Sequence, residues 1–290
     1  MRISVVIASK DRAAYVERVL AAFETQVGAP SFEVIVVDNA STDNTKSVVE
    51  AASAHGKFPV RYLYEGEPNR GKARNLGVAH ASGYLVVFCD DDVMLPAGFL
   101  AAHEAAHSSS NLVVNGPIIN VGGYDSRPKP SLANYSRAFL CTCNVSVPRH
   151  ALDAVGGFDE TFHLYGWEDT ELGVRLREAG LRWKFAWDAY LWHIKTPDEN
   201  TLEVETRKAM ERARMARRFI EKQPGKRVRA ATGAYPINFL RARFLLPDSL
   251  LAVFAGLATS EKAPDVVRAF ARAQFLDGMY TRELIRALDE

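Results

Sequence analysis

The feature that most constrains this chain is a regular alternation of short apolar runs with amphipathic stretches between residues 3 and 89. The runs are rich in β-branched residues and comprise Ile3–Ala8, Phe32–Val37, Val60–Tyr64 and Tyr84–Cys89. Their near-continuous apolarity predicts strands that are covered on both faces. Because the stretches between them have helical spacing and the connections are short, the pattern predicts an α/β fold with a mostly parallel central sheet flanked by helices.

Acidic side chains follow two of these predicted strands. Asp38 comes after the second run, and Asp90, Asp91 and Asp92 come directly after the fourth. Ligands of parallel α/β sheets bind beyond the carboxyl ends of the strands, so we expect these carboxylates in one crevice. Three adjacent carboxylates repel one another unless a cation neutralises them, and Mg²⁺ and Mn²⁺ prefer such oxygen ligands. The cluster therefore predicts a divalent-metal site, with a solvated acidic turn as the alternative.

The pattern changes after residue 100. It predicts one strand over Leu112–Ile119, an irregular loop rich in Gly, Pro and Ser at 120–138, and helices over Asp169–Ala179 and Leu202–Glu221. The helices that follow are expected to break at Pro224, Pro236, Pro247 and Pro264. We therefore predict two regions, a sheet-containing domain at residues 1–200 and a helical C-terminal region at residues 201–290.

The charges are spread unevenly along the chain. The net charge of +1 argues against general nucleic-acid binding. Residues 202–245, however, hold twelve Lys and Arg against four Asp and Glu. A basic amphipathic surface of this kind predicts peripheral contact with an anionic membrane, packing of the helices on the sheet-containing domain, or a homodimer contact, and the sequence leaves these three open.

Cysteine usage and hydropathy set the expected compartment. Three cysteines, Cys89, Cys141 and Cys143, are too few for a disulfide framework and lack zinc-motif spacing, so we interpret them as small buried residues in a reducing environment. We find no signal-peptide pattern and no apolar run of the ~20 residues that a membrane helix needs. The prediction is a cytoplasmic protein that can act at the inner face of the membrane.

Four segments of the chain, in order, resemble the family 2 glycosyltransferases. They are Ser4–Arg12, Val36–Thr45, Asn69–Gly77 with Phe88–Asp92, and Gly156–Glu160 with Gly166–Leu172. The resemblance covers roughly residues 1–195 and implies the Rossmann-like GT-A fold with a C-terminal helical appendage. It also implies an inverting enzyme that uses a nucleotide-sugar donor and a divalent metal, Mn²⁺ or Mg²⁺.

The resemblance implies a role for each matching residue around the donor. Asp38 would accept a hydrogen bond from the nucleotide base, and Arg74 and Asn75 would support the nucleotide or the aspartates. Asp90 and Asp92 match the family's Asp-x-Asp motif, with Asp92 the expected metal ligand and Asp90 nearer the ribose. The remaining residues implied to line the nucleotide-sugar pocket are Ala8, Ser9, Arg12 and Asp91.

The resemblance also implies the catalytic base and the rest of the metal site. Glu168 and Asp169 match a Glu-Asp motif whose carboxylate would deprotonate the acceptor hydroxyl, with Asp169 preferred over Glu168. Capping of the following helix is the alternative role for this pair. His193 would supply a third metal ligand after Asp90 and Asp92, since imidazole binds Mn²⁺; a histidine outside any site is the alternative.

The acceptor side is implied by fewer residues. Asn144 matches the segment that reaches the acceptor, Trp167 is either a wall for a sugar ring or a core residue, and the 120–138 loop is expected to be a lid. The predicted enzyme moves a sugar, with UDP favoured as the carrier, to a hydroxyl of a glycan, a lipid-linked sugar or a small molecule. The alternatives are a sugar-phosphate nucleotidyltransferase and a catalytically silent nucleotide-sugar-binding module.

Overall fold

A computed structural model describes residues 1–196 and 201–290 of the chain. They form two compact units: residues 1–163 with 168–195, and residues 164–167 with 196–290. The first unit contains the sheets and the second contains helices. The short segment 164–167 belongs with the second unit, whereas the sequence assigned it to the first region. The predicted boundary between residues 200 and 201 adjoins residues 197–200, which lie outside the described part of the chain.

Ten strands are assigned within the first unit. They are β1 (Ile3–Ser9), β2 (Phe32–Asn39), β3 (Val60–Glu65), β4 (Leu85–Cys89), β5 (Val93–Met94), β6 (Leu112–Asn115), β7 (Ile118–Val121), β8 (Asn144–Pro148), β9 (Arg182–Phe185) and β10 (Leu191–Ile194). Seven make one sheet in the order β3-β2-β1-β4-β8-β6-β9, and β5-β10-β7 make a small second sheet. In the large sheet every pair is parallel except the two pairs made by β8. The mostly parallel α/β sheet predicted from the sequence is confirmed.

Six helices accompany these strands. They are α1 (Ala13–Phe23), α2 (Thr45–His55), α3 (Arg70–His80), α4 (Phe99–Ala106), α5 (Arg149–Ala154) and α6 (Glu168–Glu178). Two apolar clusters cover the large sheet. One contains Phe23 and Phe99 from the helices and Val5 and Val87 from the strands, and the other contains Val6, Phe88 and Leu172. Adjacent strand residues thus belong to different clusters, as expected for a sheet buried on both faces.

The predicted single strand Leu112–Ile119 is wrong. The strand is interrupted at Gly116 and Pro117, so that β6 pairs in the large sheet and β7 pairs in the small one. A Cβ on Gly116 would lie 1.7 Å from the carbonyl oxygen of Ala189, and Pro117 has no N–H for a ladder. The close approach at Gly116 therefore requires glycine and ends the strand. The strand β8 was not predicted, and it brings residues 144–148 into the centre of the large sheet.

The second unit is built from the C-terminal helices. They are α7 (Leu202–Lys222), α8 (Lys226–Thr232), α9 (Pro236–Leu240), α10 (Asp248–Thr259) and α11 (Asp265–Asp289), with a π-helical turn at Arg241–Leu245. Each of the four predicted proline positions lies at or next to a helix start or end. Within residues 1–196 and 201–290, no single helix is long and apolar enough to cross a membrane. The segments Lys226–Leu245 and Asp248–Thr259, which meet at a bend of 85°, have the required length and composition only when taken together.

Candidate active site

The acidic cluster lies at the carboxyl end of β4, next to β1. The order of the strands reverses at this point, because β2 lies on one side of β1 and β4 on the other. Such a switch point opens a crevice at the edge of the sheet. Asp91 and Asp92 are each only 6% exposed, and Asp90 is partly exposed. The carboxylates are therefore held in the crevice rather than spread in a solvated turn.

Ser9 and Arg12, from the end of β1 and the turn after it, contact the acidic cluster directly. The Ser9 hydroxyl donates to Asp91 Oδ2 at 2.6 Å, and Arg12 Nη1 lies 3.0 Å from Asp91 Oδ1 and 2.7 Å from Asp92 Oδ2. The sequence placed Ser9 and Arg12 along the base and ribose. In the structure both side chains contact the aspartates, Ala8 beside them is partly buried, and their place along a nucleotide stays a prediction.

These contacts give the two neighbouring carboxyl groups, Asp91 and Asp92, different pKa values. Burial raises the pKa of Asp91 to about 6, although Arg12 and the Ser9 hydroxyl act against this shift. Burial also disfavours the charge on Asp92, but hydrogen bonds from His193 and Arg12 outweigh it and lower the pKa of Asp92 to about 2. Both carboxyl groups are mostly ionised at neutral pH, and Asp92 keeps its charge to a lower pH than Asp91 does, which suits a cation.

His193 reaches the cluster through the small sheet. The antiparallel pairing of β10 with β5 sets His193 opposite Val93, one residue after Asp92. His193 Nε2 lies 3.0 Å from Asp92 Oδ1, and Nδ1 lies 3.1 Å from Asn120 Oδ1 on β7. An orienting partner on the second ring nitrogen is the usual arrangement for a metal-binding histidine. The oxygen and nitrogen donors of Asp90, Asp92 and His193 therefore fit a hard divalent cation.

Arg74 connects the aspartates to the second acidic motif. From α3, its Nη2 lies 3.6 Å from Asp90 Oδ1 and its Nη1 lies 3.5 Å from Glu168 Oε1. The side chain of Arg74 is almost fully buried. Glu168 Oε2 is buried as well and has no hydrogen-bond partner among the described residues. Because an unpartnered buried carboxylate oxygen is costly, the arrangement leaves an acceptor open for a donor group of a ligand.

Asp169 begins α6 beside Glu168. Burial and the nearby Glu168 charge raise the pKa of Asp169 to about 6, against the opposing effect of Arg74 and the Thr170 N–H. Asp169 Oδ1 accepts that N–H at 2.7 Å. A carboxyl with a pKa near neutrality both exists as the anion at pH 7 and is a stronger base than an ordinary aspartate. Its environment thus suits proton abstraction, beyond any capping of the helix.

Asp38 lies two strands away from β4, at the end of β2. Its Oδ1 accepts the Ser41 N–H at 2.8 Å, and its Oδ2 accepts the Tyr62 hydroxyl at 2.8 Å. Burial and the hydrogen bond to Asp38 raise the pKa of Tyr62, which keeps this hydroxyl protonated as a donor. The two bonds fix the carboxylate at the carboxyl end of the sheet, and each of its oxygens has further capacity to accept.

Two further predicted residues, Asn75 and Asn144, bond to neighbouring parts of the chain. Asn75 faces the Gly156–Glu160 loop instead of the aspartates: its Nδ2 donates to Phe158 O and Glu160 Oε1, both at 2.9 Å. Asn144 is fully buried, with Nδ2 donating to Pro117 O and Ala189 O and with Oδ1 2.9 Å from His103 Nε2. Both amides hold neighbouring segments together, and the nucleotide role of Asn75 and the acceptor role of Asn144 stay predictions.

Trp167 also differs from the sugar-wall interpretation. It is 6% exposed, belongs to the second unit and packs against Phe219 with ring centroids 5.7 Å apart. Its indole N–H donates to Arg212 O at 2.8 Å. The structure therefore favours the alternative stated for this residue, a core position.

The 120–138 loop lies over the small sheet. The Trp192 indole N–H donates to Pro128 O at 2.8 Å, and the Tyr124 ring lies 4.0 Å from the Arg18 guanidinium carbon. Trp192 precedes His193 on β10, so the loop packs against the strand that carries His193. Its movement as a lid stays a prediction.

Sequence reasoning missed a buried polar group behind the site. His103 Nδ1 and His107 Nε2 lie 2.9 Å and 2.8 Å from the Ser146 hydroxyl on β8. Burial lowers the pKa of both histidines to about 4, so both are neutral at physiological pH. The i, i+4 spacing of His103 and His107 on one helix was the available signal, but their common partner on β8 is 39 or more residues away.

The chain matches known protein families over most of its length. The family model described as "Glycosyl transferase family 2" matches residues 4–158, and one described as "N-terminal domain of galactosyltransferase" matches residues 128–208. A validoxylamine A glucosyltransferase of Streptomyces hygroscopicus subsp. limoneus is 30% identical over 267 residues, which cover 77% of this chain and 57% of that protein. A second validoxylamine A glucosyltransferase, from Streptomyces hygroscopicus subsp. jinggangensis strain 5008, is also 30% identical, and the match covers 61% of its length. The chain therefore spans about three fifths of the length of these curated relatives.

Solved structures of similar fold contain nucleotide sugars. The mannosyltransferase PcManGT from Pyrobaculum calidifontis, solved with GDP-Man and Mn²⁺, superposes with a TM-score of 0.66 at 20% identity and covers 99% of this chain and 86% of its own. Staphylococcus aureus TarS 1–349, solved with UDP-GlcNAc, gives a TM-score of 0.59 at 19% identity, and the match covers 98% of this chain and 91% of the TarS chain. At these identities the likeness shows the common GT-A fold.

Proposed function

Because the chain belongs to glycosyl transferase family 2, and is therefore a glycosyltransferase, we propose that it moves a sugar from a nucleoside diphosphate to an acceptor hydroxyl with inversion at the anomeric carbon. The observation that carries the proposal is the position of Arg74, whose guanidinium lies between Asp90 and Glu168. It links the carboxylates at the end of β4 to the acidic start of α6, so the donor and base functions face one crevice.

Asp169 is the proposed base and Glu168 the residue beside it that positions the acceptor. In-line attack requires the acceptor hydroxyl to lose its proton while the carbon–oxygen bond to the diphosphate breaks. The raised pKa of Asp169, about 6, suits that proton transfer. The buried, unpartnered Oε2 of Glu168 suits a hydrogen bond from a hydroxyl of the acceptor or of the donor sugar.

Asp92, Asp90 and His193 are the proposed ligands of Mn²⁺ or Mg²⁺. Bound there, the cation would supply the positive charge that stabilises a departing diphosphate. The bound Mn²⁺ of PcManGT supports this assignment by similarity of fold. Arg12 contacts Asp92 in this structure and would share the same carboxylate with the cation.

UDP is the proposed carrier, with dTDP and GDP as alternatives. Asp38 would accept the N3–H of a uracil or thymine base, and it could also accept from guanine. TarS was solved with UDP-GlcNAc and PcManGT with GDP-Man, so similarity alone does not choose between the two bases. A glycan, a lipid-linked sugar or a small molecule is the proposed acceptor.

Thermal unfolding with nucleotides tests the donor site. UDP, dTDP, GDP and CMP are each added with and without Mn²⁺ to the wild-type protein and to Asp92→Asn. We expect one nucleotide to raise the melting temperature in a Mn²⁺-dependent way, and Asp92→Asn to lose the metal-dependent part. At a ligand concentration of one hundred times Kd the folded state gains about 2.7 kcal/mol. No stabilisation of the wild-type protein by any nucleotide at millimolar concentration would contradict the proposed donor site.

The C-terminal helices support a proposed contact with an anionic bilayer. Ile237 and Phe244 expose 76% and 67% of their surface, and Leu240 and Leu245 are also exposed. Exposed Arg243 lies among them in the chain, and within residues 1–196 and 201–290 it forms no ion pair with an acidic side chain. Apolar side chains interleaved with cations match the acyl region and the phosphates of an anionic membrane surface.

Vesicle sedimentation distinguishes this contact from self-association. We expect co-sedimentation with phosphatidylglycerol vesicles, weak binding to phosphatidylcholine vesicles, and loss of binding in Phe244→Asp. Leu132→Asp is the matched control, because Leu132 is 86% exposed but lies in the first unit. Equal binding by both variants would contradict the proposal, and a concentration-dependent dimer that Phe244→Asp abolishes without lipid would favour a homodimer contact.

A further inference from the structure

Cys143 lies in the acidic crevice, although the sequence pattern gave it only a packing role. Donor atoms of Asp90, Cys143 and His193 all lie within 4.8 Å of one another. Cys143 and His193 are buried and Asp90 is partly exposed. The three residues come from three distant segments, so their convergence is a product of the tertiary fold.

Two strand pairings bring the three side chains together. In the antiparallel ladder of β4 and β8, Cys89 faces Asn144, so the next pair toward the crevice is Asp90 with Cys143. In the small sheet, β10 pairs with β5 and carries His193 to the same place. His193 lies within a ladder, and Asp90 and Cys143 each lie one residue beyond the ladder of β4 and β8, so the adjoining strands position all three donor groups.

The mixture of donor atoms differs from that of an all-oxygen magnesium site. Carboxylate oxygen, imidazole nitrogen and thiolate sulfur are together the ligands of Zn²⁺ and of Co²⁺, whereas Mg²⁺ and Mn²⁺ prefer oxygen. Asp90 and His193 suit both classes of cation. Cys143 suits only the thiophilic class, so it is the residue that decides which class the site can retain.

We propose that Asp90, Cys143 and His193 form a binding site for a thiophilic divalent cation of the Zn²⁺ class. Binding forms a metal–sulfur bond and releases the Cys143 thiol proton to solvent. Asp90 and His193 are also proposed ligands for Mn²⁺, so the two cations compete for the site. Zn²⁺ bound through Cys143 excludes Mn²⁺ and thereby inhibits the transfer reaction. This inference rests on the proposed metal site but not on the identity of the donor or acceptor.

Cobalt spectroscopy of the full-length protein tests the ligand set without any transfer assay. Co²⁺ bound by a thiolate gives a ligand-to-metal charge-transfer band in the near ultraviolet, which oxygen and nitrogen ligands do not give. We expect the band in the wild-type protein and in Cys141→Ser, because Cys141 lies outside the three-residue group. We expect Cys143→Ser to lose the band, and its affinity for Co²⁺ and Zn²⁺ to fall by at least about tenfold.

Competition and a second variant complete the test. Added Mn²⁺ should remove the band from the wild-type protein only at a large excess, and Zn²⁺ should remove it near stoichiometry. Cys143→Ala, which keeps a small apolar side chain in the buried position, replaces Cys143→Ser if circular dichroism shows that the serine variant is unfolded. Co²⁺ binding without the thiolate band would overturn the role of Cys143 while leaving the Mn²⁺ site intact. An unchanged band in a folded Cys143 variant, or no binding of Co²⁺ at all, would overturn the whole proposal.

Discussion

At the scale of single residues, the crevice sorts its carboxyl groups by what surrounds each one. Contacts with His193 and Arg12 outweigh burial and lower the pKa of Asp92 to about 2, whereas burial and the Glu168 charge raise the pKa of the partly exposed Asp169 to about 6. The two environments match the two proposed tasks, since a carboxyl group binds a metal as its anion and a general base must accept a proton at working pH. Burial beside a like charge is a cost to folding that a neutral side chain would not carry.

Replacing Asp169 by asparagine should therefore stabilise the protein at neutral pH. A folded-state pKa of about 6, above the ordinary value of 3.8, favours the protonated form, so the free energy of unfolding falls as pH rises from about 4 to 6. Asp169→Asn removes this loss, which amounts to at most about 3 kcal/mol at pH 7 and vanishes at pH 4. Denaturant melts at both pH values measure it. Glu178→Gln, an exposed position on the same helix, is the control and should change neither value.

The same ionisation predicts the pH dependence of transfer. Because the base must be deprotonated, kcat/KM should rise about tenfold per pH unit below the pKa of about 6 and level off above it. Asp169→Asn should lower kcat by on the order of 10²- to 10⁴-fold and abolish this limb, with nucleotide binding retained. A wild-type profile that is flat from pH 5 to 8, or an asparagine variant with an unchanged rate, would remove Asp169 from the role of base.

At the scale of secondary-structure elements, the strand β8 organises the site. It enters the large sheet antiparallel between β4 and β6 and thereby carries Cys143 to Asp90. Behind it, the Ser146 hydroxyl meets His103 and His107, and Asn144 joins Pro117 to Ala189. These buried contacts tie Asn144, at the start of the strand, and Ser146, at its middle, to neighbouring segments of the fold.

The close approach at Gly116 gives a test of this packing. A methyl group there would overlap Ala189 O at 1.7 Å and lie 2.7 Å from Asn144 Nδ2, both inside the network that holds β8. We expect Gly116→Ala to lower the free energy of unfolding by about 3 kcal/mol or more. Gly122→Ala is the matched control, because nothing lies within 4 Å of its added Cβ, and it should stay within about 0.5 kcal/mol of wild type. Equal urea midpoints for the two variants would contradict this account.

At the scale of the whole molecule, the proposed chemistry belongs to the first unit and the exposed apolar helices to the second. The metal, nucleotide and base residues all lie within residues 1–163 and 168–195. Residues 164–167 leave that unit immediately before Glu168 and pack with the helices instead. The division of the chain into a region at 1–200 and another at 201–290 stays a prediction, which the next measurement addresses.

Hydrogen exchange with and without donor nucleotide should separate the two units. With UDP, or the nucleotide that stabilises the protein, and Mn²⁺ at one hundred times Kd, amides of β1 and β4 should gain about 2.7 kcal/mol of protection. Amides of α10 and α11 should change little, because those helices belong to the other compact unit. An equal gain across both units would mean that the chain unfolds as one cooperative body.

The sequence by itself determined the sheet, its direction and the acidic groups at its carboxyl edge. Nearly continuous apolar runs specify strands that are buried on both faces. The short connections through helices favour parallel pairing of these strands in one sheet. The motifs containing Asp90, Asp92 and Glu168 were visible for the same reason, since each is a contiguous stretch next to a predicted element.

Only the tertiary structure decided which side chains meet. Arg12 reaches Asp91 and Asp92 across about 80 residues of chain, and Cys143 and His193 reach Asp90 through ladders between distant strands. The insertion of β8, and the turn of Asn75 and Asn144 away from the crevice, depend on strand order and register. Register is set by packing against the rest of the fold, and a shift of one residue moves every side chain to the opposite face, which no local pattern specifies.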